Sequence, residues 1–180
     1  MKIAETFLAL VKRASTDLDV EKVREDVLAF ALRHPEMSTR EKARHMVEST
    51  ARRAAFVGAA ASVPPGWAAL PVAAPELTAL VVLQSRLILG LHLLYGAELD
   101  PGERAREVVA GLAAGAGLSV GRRLTARVAE ELGARLASRV LGRSLARVVP
   151  LAGIAVSAAL NYAAVRAVGR TVAARVERRW

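Results

Sequence analysis

Residues 148–165 form eighteen successive positions without a charge, in the stretch VVPLAGIAVSAALNYAAVRAVGR (148–170). Such a run lies in a bilayer, rests on one, or fills the interior of a helical protein. A transmembrane helix needs about 20 apolar residues, with a range of about 17–25. This run only reaches that minimum, is rich in alanine, and contains Asn161. A second segment, PELTALVVLQSRLILGLHLLYG (75–96), is more apolar but places Arg86 at its middle. A central arginine costs about 2.5 kcal/mol or more on insertion. A third, 54–75, is uncharged but broken by prolines. The expectation is therefore two very apolar helices, about 75–96 and 150–176, sheltered in a compact multi-helix bundle that docks on a membrane or holds an apolar ligand.

Periodicity makes the class all-α. Within LDVEKVREDVLAFALR (18–33), Val20, Val23, Val27, Phe30 and Ala31 share one stripe, as on an amphipathic helix. His34-Pro35 ends it. Ser38 and Glu41 then form an S-x-x-E capping box for a helix that loses its charges after Arg53. VPPGWAALPVAAP (63–75) reads as a rigid, non-helical connector around Trp67. Gly96 follows the helix 75–96 as a C-terminal stop. Residues 97–106 read as an acidic loop, and VVAGLAAGAG (108–117) as a short helix with Gly111 and Gly115 spaced for close packing. No segment alternates as a half-buried strand would. With 180 residues, one helical domain over 1–180 is predicted, with amphipathic N-terminal helices in 1–35 and the more apolar region in 36–180.

Charge is unevenly placed. Of the net +9, residues 1–60 contribute +2, residues 61–120 contribute −2 and residues 121–180 contribute +9. Every basic group in that last third is arginine. Arg123, Arg127, Arg135, Arg139, Arg143 and Arg147, with Glu131, recur at a four-residue step, which winds about a straight helix and predicts a break near Gly133 or Gly142. A basic surface attracts anionic lipid, nucleic acid or an acidic partner. Nucleic acid is not expected, because the arginine-rich third lacks stacking aromatics apart from Trp180 and shows no binding motif. The absence of cysteine excludes disulfides and thiol chemistry. The apolar run before Lys12 is shorter than a signal-peptide core, so a cytoplasmic protein, peripheral at the inner face of the membrane, is expected.

Three segments resemble the EcsC family of bacterial proteins: RRAAFVGAAASVPPG (52–66), PELTALVVLQSRLILGLHLLYG (75–96) and VVPLAGIAVSAALNYAAVRAVGR (148–170). The shared features are the Ala/Gly helix end before a Pro/Gly turn, the helix closing on Leu-Tyr-Gly, and Pro-x-x-Gly leading to Asn161-Tyr162 with Arg166, Gly169 and Arg170 behind. The resemblance covers about residues 35–175. Ser157 departs from it, standing where a second glycine is expected. The resemblance implies a helical, often membrane-associated protein without a settled enzymatic activity.

Few residues promise chemistry. GLSVG (117–121) matches the G-x-S-x-G elbow around Ser119, but that elbow needs a preceding strand and a later histidine, and none follows His92. His34, His45 and His92 lack metal-ligand spacing, so no metal and no cofactor is predicted. Asn161 lies on the apolar seam of its helix, where a buried amide fixes register or holds a ligand, with Glu76, Gln84, Ser85, Arg86 or His92 as partner. The predicted ligand site is Gln84, Arg86, His92, Asn161, Tyr162, Arg166 and Arg170. An apolar tail is expected between helices 75–96 and 150–176, with an arginine on an anionic head. The expected function is a non-catalytic accessory protein that associates with a membrane surface or a lipid-like molecule. A soluble homo-oligomeric interaction module is the alternative, and a hydrolase acting through Ser119 the third reading.

Overall fold

Helix boundaries in this chain follow local capping chemistry. The computed structural model describes residues 18–61, 70–115 and 150–179 and the isolated positions 9, 13 and 131; for 61, 70–77 and 150–153 it describes the backbone alone. The described elements are α1 (Val20–Arg33), α2 (Thr39–Ala61), α3 (Leu70–Leu94), α4 (Pro101–Gly115) and α5 (Pro150–Glu177). No strand occurs among the described residues, and the class is all-α as predicted. Trp67, Ser119 and the arginine ladder lie outside the described residues, except for Glu131, which is helical and exposed.

The Asp19 carboxylate accepts the Lys22 backbone N–H at 2.9 Å and starts α1. The predicted capping box opens α2: the Glu41 N–H donates to Ser38 Oγ at 3.3 Å, and the Ser38 N–H donates back to Glu41 Oε2 at 2.8 Å. A second box, not foreseen, opens α4. There the Glu103 N–H donates to Asp100 Oδ1 at 2.7 Å and the Asp100 N–H to Glu103 Oε2 at 3.2 Å. Helix α4 thus starts at Pro101, not at 108 as predicted. The acidic loop is mostly a helix start, with proline at the position where an N–H has no partner.

Helix α3 also begins earlier than predicted, at Leu70 instead of 75. Pro71 stands in the first turn, where the missing N–H is of no consequence, whereas Pro75 lies past that turn and forfeits the bond to the Pro71 carbonyl. The C-terminal stop is as expected. Gly96 has φ +78°, the Ala97 N–H donates to the His92 carbonyl at 2.9 Å, and the Gly96 N–H to that of Leu93 at 3.0 Å. That left-handed residue is free of strain only as glycine.

Helices α2 and α5 run antiparallel at the centre. Arg40 meets Glu177, Glu48 meets Tyr162 and Arg166, and Gly58 meets Ser157 and Asn161. Helix α3 covers the pair, α1 packs on α3, and α4 packs on α5 and α3. The core joins Val47, Ala51 and Ala54 with Leu87, Ile88 and Leu91, Val108 and Leu112, and Val165, Val168, Val172 and Val176. Burial of each such valine or leucine stabilises by about 1.5–3 kcal/mol. Among the described residues, no helix is long and apolar enough to cross a membrane.

Candidate functional site

Where α2 and α5 cross most closely, the contact is a glycine against an amide. A Cβ on Gly58 would lie 2.8 Å from the Ser157 carbonyl oxygen and would strike the Asn161 side chain. Ser157 and Asn161 are each 1% exposed. Asn161 therefore sits on the seam as predicted, but it closes on α2, and the partners predicted for it all lay on α3.

This crossing fixes the relative level of the two helices, and a charge pattern follows. Helix α2 carries no charge beyond Arg53, and α5 carries none before Arg166. The antiparallel register brings these two boundaries to nearly the same level. Helix α3 does not repeat the pattern: Leu87 packs beside the position of Gly169, so Arg86 falls near that level. Its other charge, Glu76, stands toward the opposite end, and residues 87–94 carry no Asp, Glu, Lys or Arg. Helices α2 and α5 thus share one charged end and one uncharged end.

At the uncharged end, large apolar side chains are exposed among the described residues. Phe56 is 76% exposed, Leu160 44% and Val156 42%. Ala155, Ala159 and Ala163 are exposed beside them. Every exposed residue of α5 from 155 to 167 is apolar, and Arg170 is the next exposed one.

On the charged side the same two helices enclose a groove of about 600 Å³. Its floor is Ala43, Val47, Ala173 and Ala174, and its walls carry Arg40, Arg44, Glu48, Tyr95, Arg166, Arg170 and Glu177. The Tyr162 hydroxyl donates to Glu48 Oε1 at 2.7 Å. Arg166 Nε lies 3.7 Å from Glu48 Oε2, and its guanidinium stands 5.6 Å from the centre of the Tyr162 ring. The Tyr162 hydrogen bond, aided by Arg166 and Arg52, holds the Glu48 carboxyl below the usual carboxylate range. The same bond raises the Tyr162 phenol. Burial, reinforced by the Glu177 carboxylate, raises the Tyr95 phenol, so it stays a hydrogen-bond donor. Arg40 Nε donates to Glu177 Oε1 at 2.8 Å.

The predicted site residues therefore divide. Tyr162, Arg166 and Arg170 come together at the α2–α5 pair. Arg86 instead donates to Asp26 Oδ2 at 2.8 Å and faces a separate groove of about 530 Å³ beside Phe30, His34 and His45. His92 is buried, and its Nδ1–H donates to the Ile88 carbonyl at 2.8 Å. Its Nε2 lies 3.7 Å from Glu107, which also meets Arg175 and Arg179. Gln84 is buried within α3. The space expected between α3 and α5 is taken up by packing: Leu87 reaches Gly169, and Ile88 meets Val172 across Gly111. Helices α2 and α5 provide the opening instead. Sequence reading missed Arg40, Arg44, Glu48, Tyr95 and Glu177. The four-residue step from Arg40 to Arg44 to Glu48 marks one ridge of α2, but that signal does not say which helix the ridge faces.

Comparison with protein-family models, with curated proteins and with solved structures finds no match to this chain.

Proposed function

We propose that this protein is a non-catalytic accessory that docks on the cytoplasmic face of an anionic membrane by the uncharged end of its α2–α5 pair. The observation that supports this reading is the shared level at which these two helices lose their charges, with Phe56, Val156 and Leu160 exposed beyond it. Burial of each exposed Phe or Leu in the acyl boundary would contribute about 1.5–3 kcal/mol. Arg52, Arg53, Arg166 and Arg170 stand beside the boundary, where each basic group near anionic headgroups adds about 1 kcal/mol. Sixteen uncharged residues of α5, from Pro150 to Val165, extend about 24 Å at 1.5 Å per residue, less than the roughly 30 Å of a hydrocarbon core. Shallow insertion follows from that length.

The test is flotation with phosphatidylcholine vesicles, with and without phosphatidylglycerol. The protein should float with the anionic vesicles, and Phe56→Asp with Leu160→Asp should weaken that partition by at least about tenfold. Wild-type protein that stays at the bottom with both vesicle types overturns the reading. If light scattering then gives a defined oligomer that the same two substitutions dissociate, a second copy of the chain covers this end. Kinship with the EcsC family is proposed on the three segments that resemble it. An EcsC structure without an antiparallel helix pair joined at a Gly–Asn contact would speak against that kinship.

A further inference from the structure

The groove between α2 and α5 holds more positive charge than its own carboxylates neutralise. Arg40, Arg44, Arg166 and Arg170 line it, against Glu48 and Glu177. Glu177 is engaged by Arg40, and Glu48 by Tyr162 with Arg166 close by. Arg44 and Arg170 have no carboxylate within 4.0 Å among the described residues. Four guanidiniums against two carboxylates leave two positive charges on facing helices. Each guanidinium offers a planar fork of N–H donors suited to an oxyanion.

From this geometry we infer that the groove is a binding site for a phosphate group carried as a monoester dianion. A phosphomonoester bears about −1.5 to −2 charges at pH 7, which matches the residual charge. A single carboxylate or a phosphodiester, with one charge, would leave the groove cationic. The volume of about 600 Å³ lies within the roughly 300–1,000 Å³ of small-molecule sites and is far too small for a nucleic-acid duplex. The protonated Tyr95 phenol supplies a neutral donor, and the alanine floor leaves room for the group that carries the phosphate. The phosphate has two sources, a soluble phosphorylated molecule or a phosphatidic acid headgroup. The site shares Arg166 and Arg170 with the docking boundary, but Arg40, Arg44 and Tyr95 lie farther along the charged side, so binding of free phosphate does not require a membrane.

The protein is titrated calorimetrically with inorganic phosphate, and floated with phosphatidylcholine vesicles containing either phosphatidic acid or phosphatidylglycerol. The double variant Arg44→Gln, Arg170→Gln removes two arginines that have no carboxylate within 4.0 Å among the described residues, Glu41 acting on Arg44 only at longer range, so the fold should persist. The pair Arg33→Gln, Arg106→Gln, both exposed and outside the groove, controls for the loss of two charges. Saturable phosphate binding, weakened about tenfold or more in the double variant and less than about twofold in the control, supports a soluble ligand. Preference for phosphatidic acid over phosphatidylglycerol that the double variant loses, without binding of free phosphate, supports a headgroup. Neither response, or an equal loss in the control pair, overturns the site. Phe56→Asp with Leu160→Asp should abolish flotation yet leave the phosphate titration unchanged, so failure of docking and failure of this site are read separately.

Discussion

Residues 108–115 of α4 and 150–165 of α5 have closely similar chemistry. Both are uncharged, alanine-rich and interrupted by glycine. In α4 the six residues from Val108 to Ala113 are all buried. In α5 the corresponding run leaves Val156 and Leu160 exposed, with three alanines. Composition does not separate them; their neighbours do. A Cβ on Gly115 would lie 2.8 Å from the Val168 Cα, and one on Gly111 would lie 2.8 Å from Ile88 Cδ1. Helix α4 is thus pressed against α5 and α3 through its glycines. The first half of α5 meets α2 at Gly58, and among the described residues its other side exposes Ala155, Ala159 and Ala163. An apolar helix is therefore a core element only where a backbone-to-backbone approach brings a second helix across it.

Substitutions can break this contrast. Ile88 fills the space under Gly111, and Ile88→Ala should cost about 2–5 kcal/mol by urea denaturation. A loss under about 1 kcal/mol would mean that α4 is not anchored there. Gly115→Ala should cost about 1–3 kcal/mol, despite the better helix propensity of alanine, because the Val168 backbone cannot yield. The matching change in the exposed run, Ala159→Ser, should alter stability by no more than about 0.5 kcal/mol. If the two changes cost the same, the two runs do not differ in burial.

The smallest effect concerns acid. Glu48 has a depressed carboxyl, so its contribution is complete above the unfolded value near pH 4.5 and is lost as pH falls through the lower, folded value. Tyr162 is raised, so its contribution is complete below the unfolded value near pH 10.0 and is lost as pH climbs through the folded one. Tyr162→Phe removes the bond behind both shifts. Stability should then fall less steeply from about pH 5 to pH 3, and the Glu48 carboxyl should titrate higher by NMR. An unchanged Glu48 titration would show that the hydroxyl is not its main partner.

Much of the architecture can be read from short-range patterns. The stripe through Val23 and Val27, the Ser38–Glu41 box and the stop at Gly96 each depend on residues within about one turn of each other. The starts of α3 and α4 differ from those expected because VPPGWAALPVAAP (63–75) reads as a non-helical connector, although Pro71 fits a first helical turn, and 97–106 reads as an acidic loop, although Asp100, Pro101 and Glu103 open a helix. The site was only half visible. Tyr162, Arg166 and Arg170 share one helix, so their spacing places them together. Arg40 and Arg44 join them from a position more than 120 residues away in sequence, and that meeting is decided by which helices pack, not by local periodicity. Arg86 and His92 misled for the same reason, since Asp26 and Glu107 claim them from α1 and α4.

The Gly58–Asn161 contact has a reach beyond its own two side chains. Sliding α5 by one helical turn along α2 would displace Arg166 by about 5.4 Å from the level of Arg53. The amide wedged into the notch at Gly58 works as a detent against that slip. One small residue opposite one polar one thereby keeps the charge boundaries of α2 and α5 level with each other.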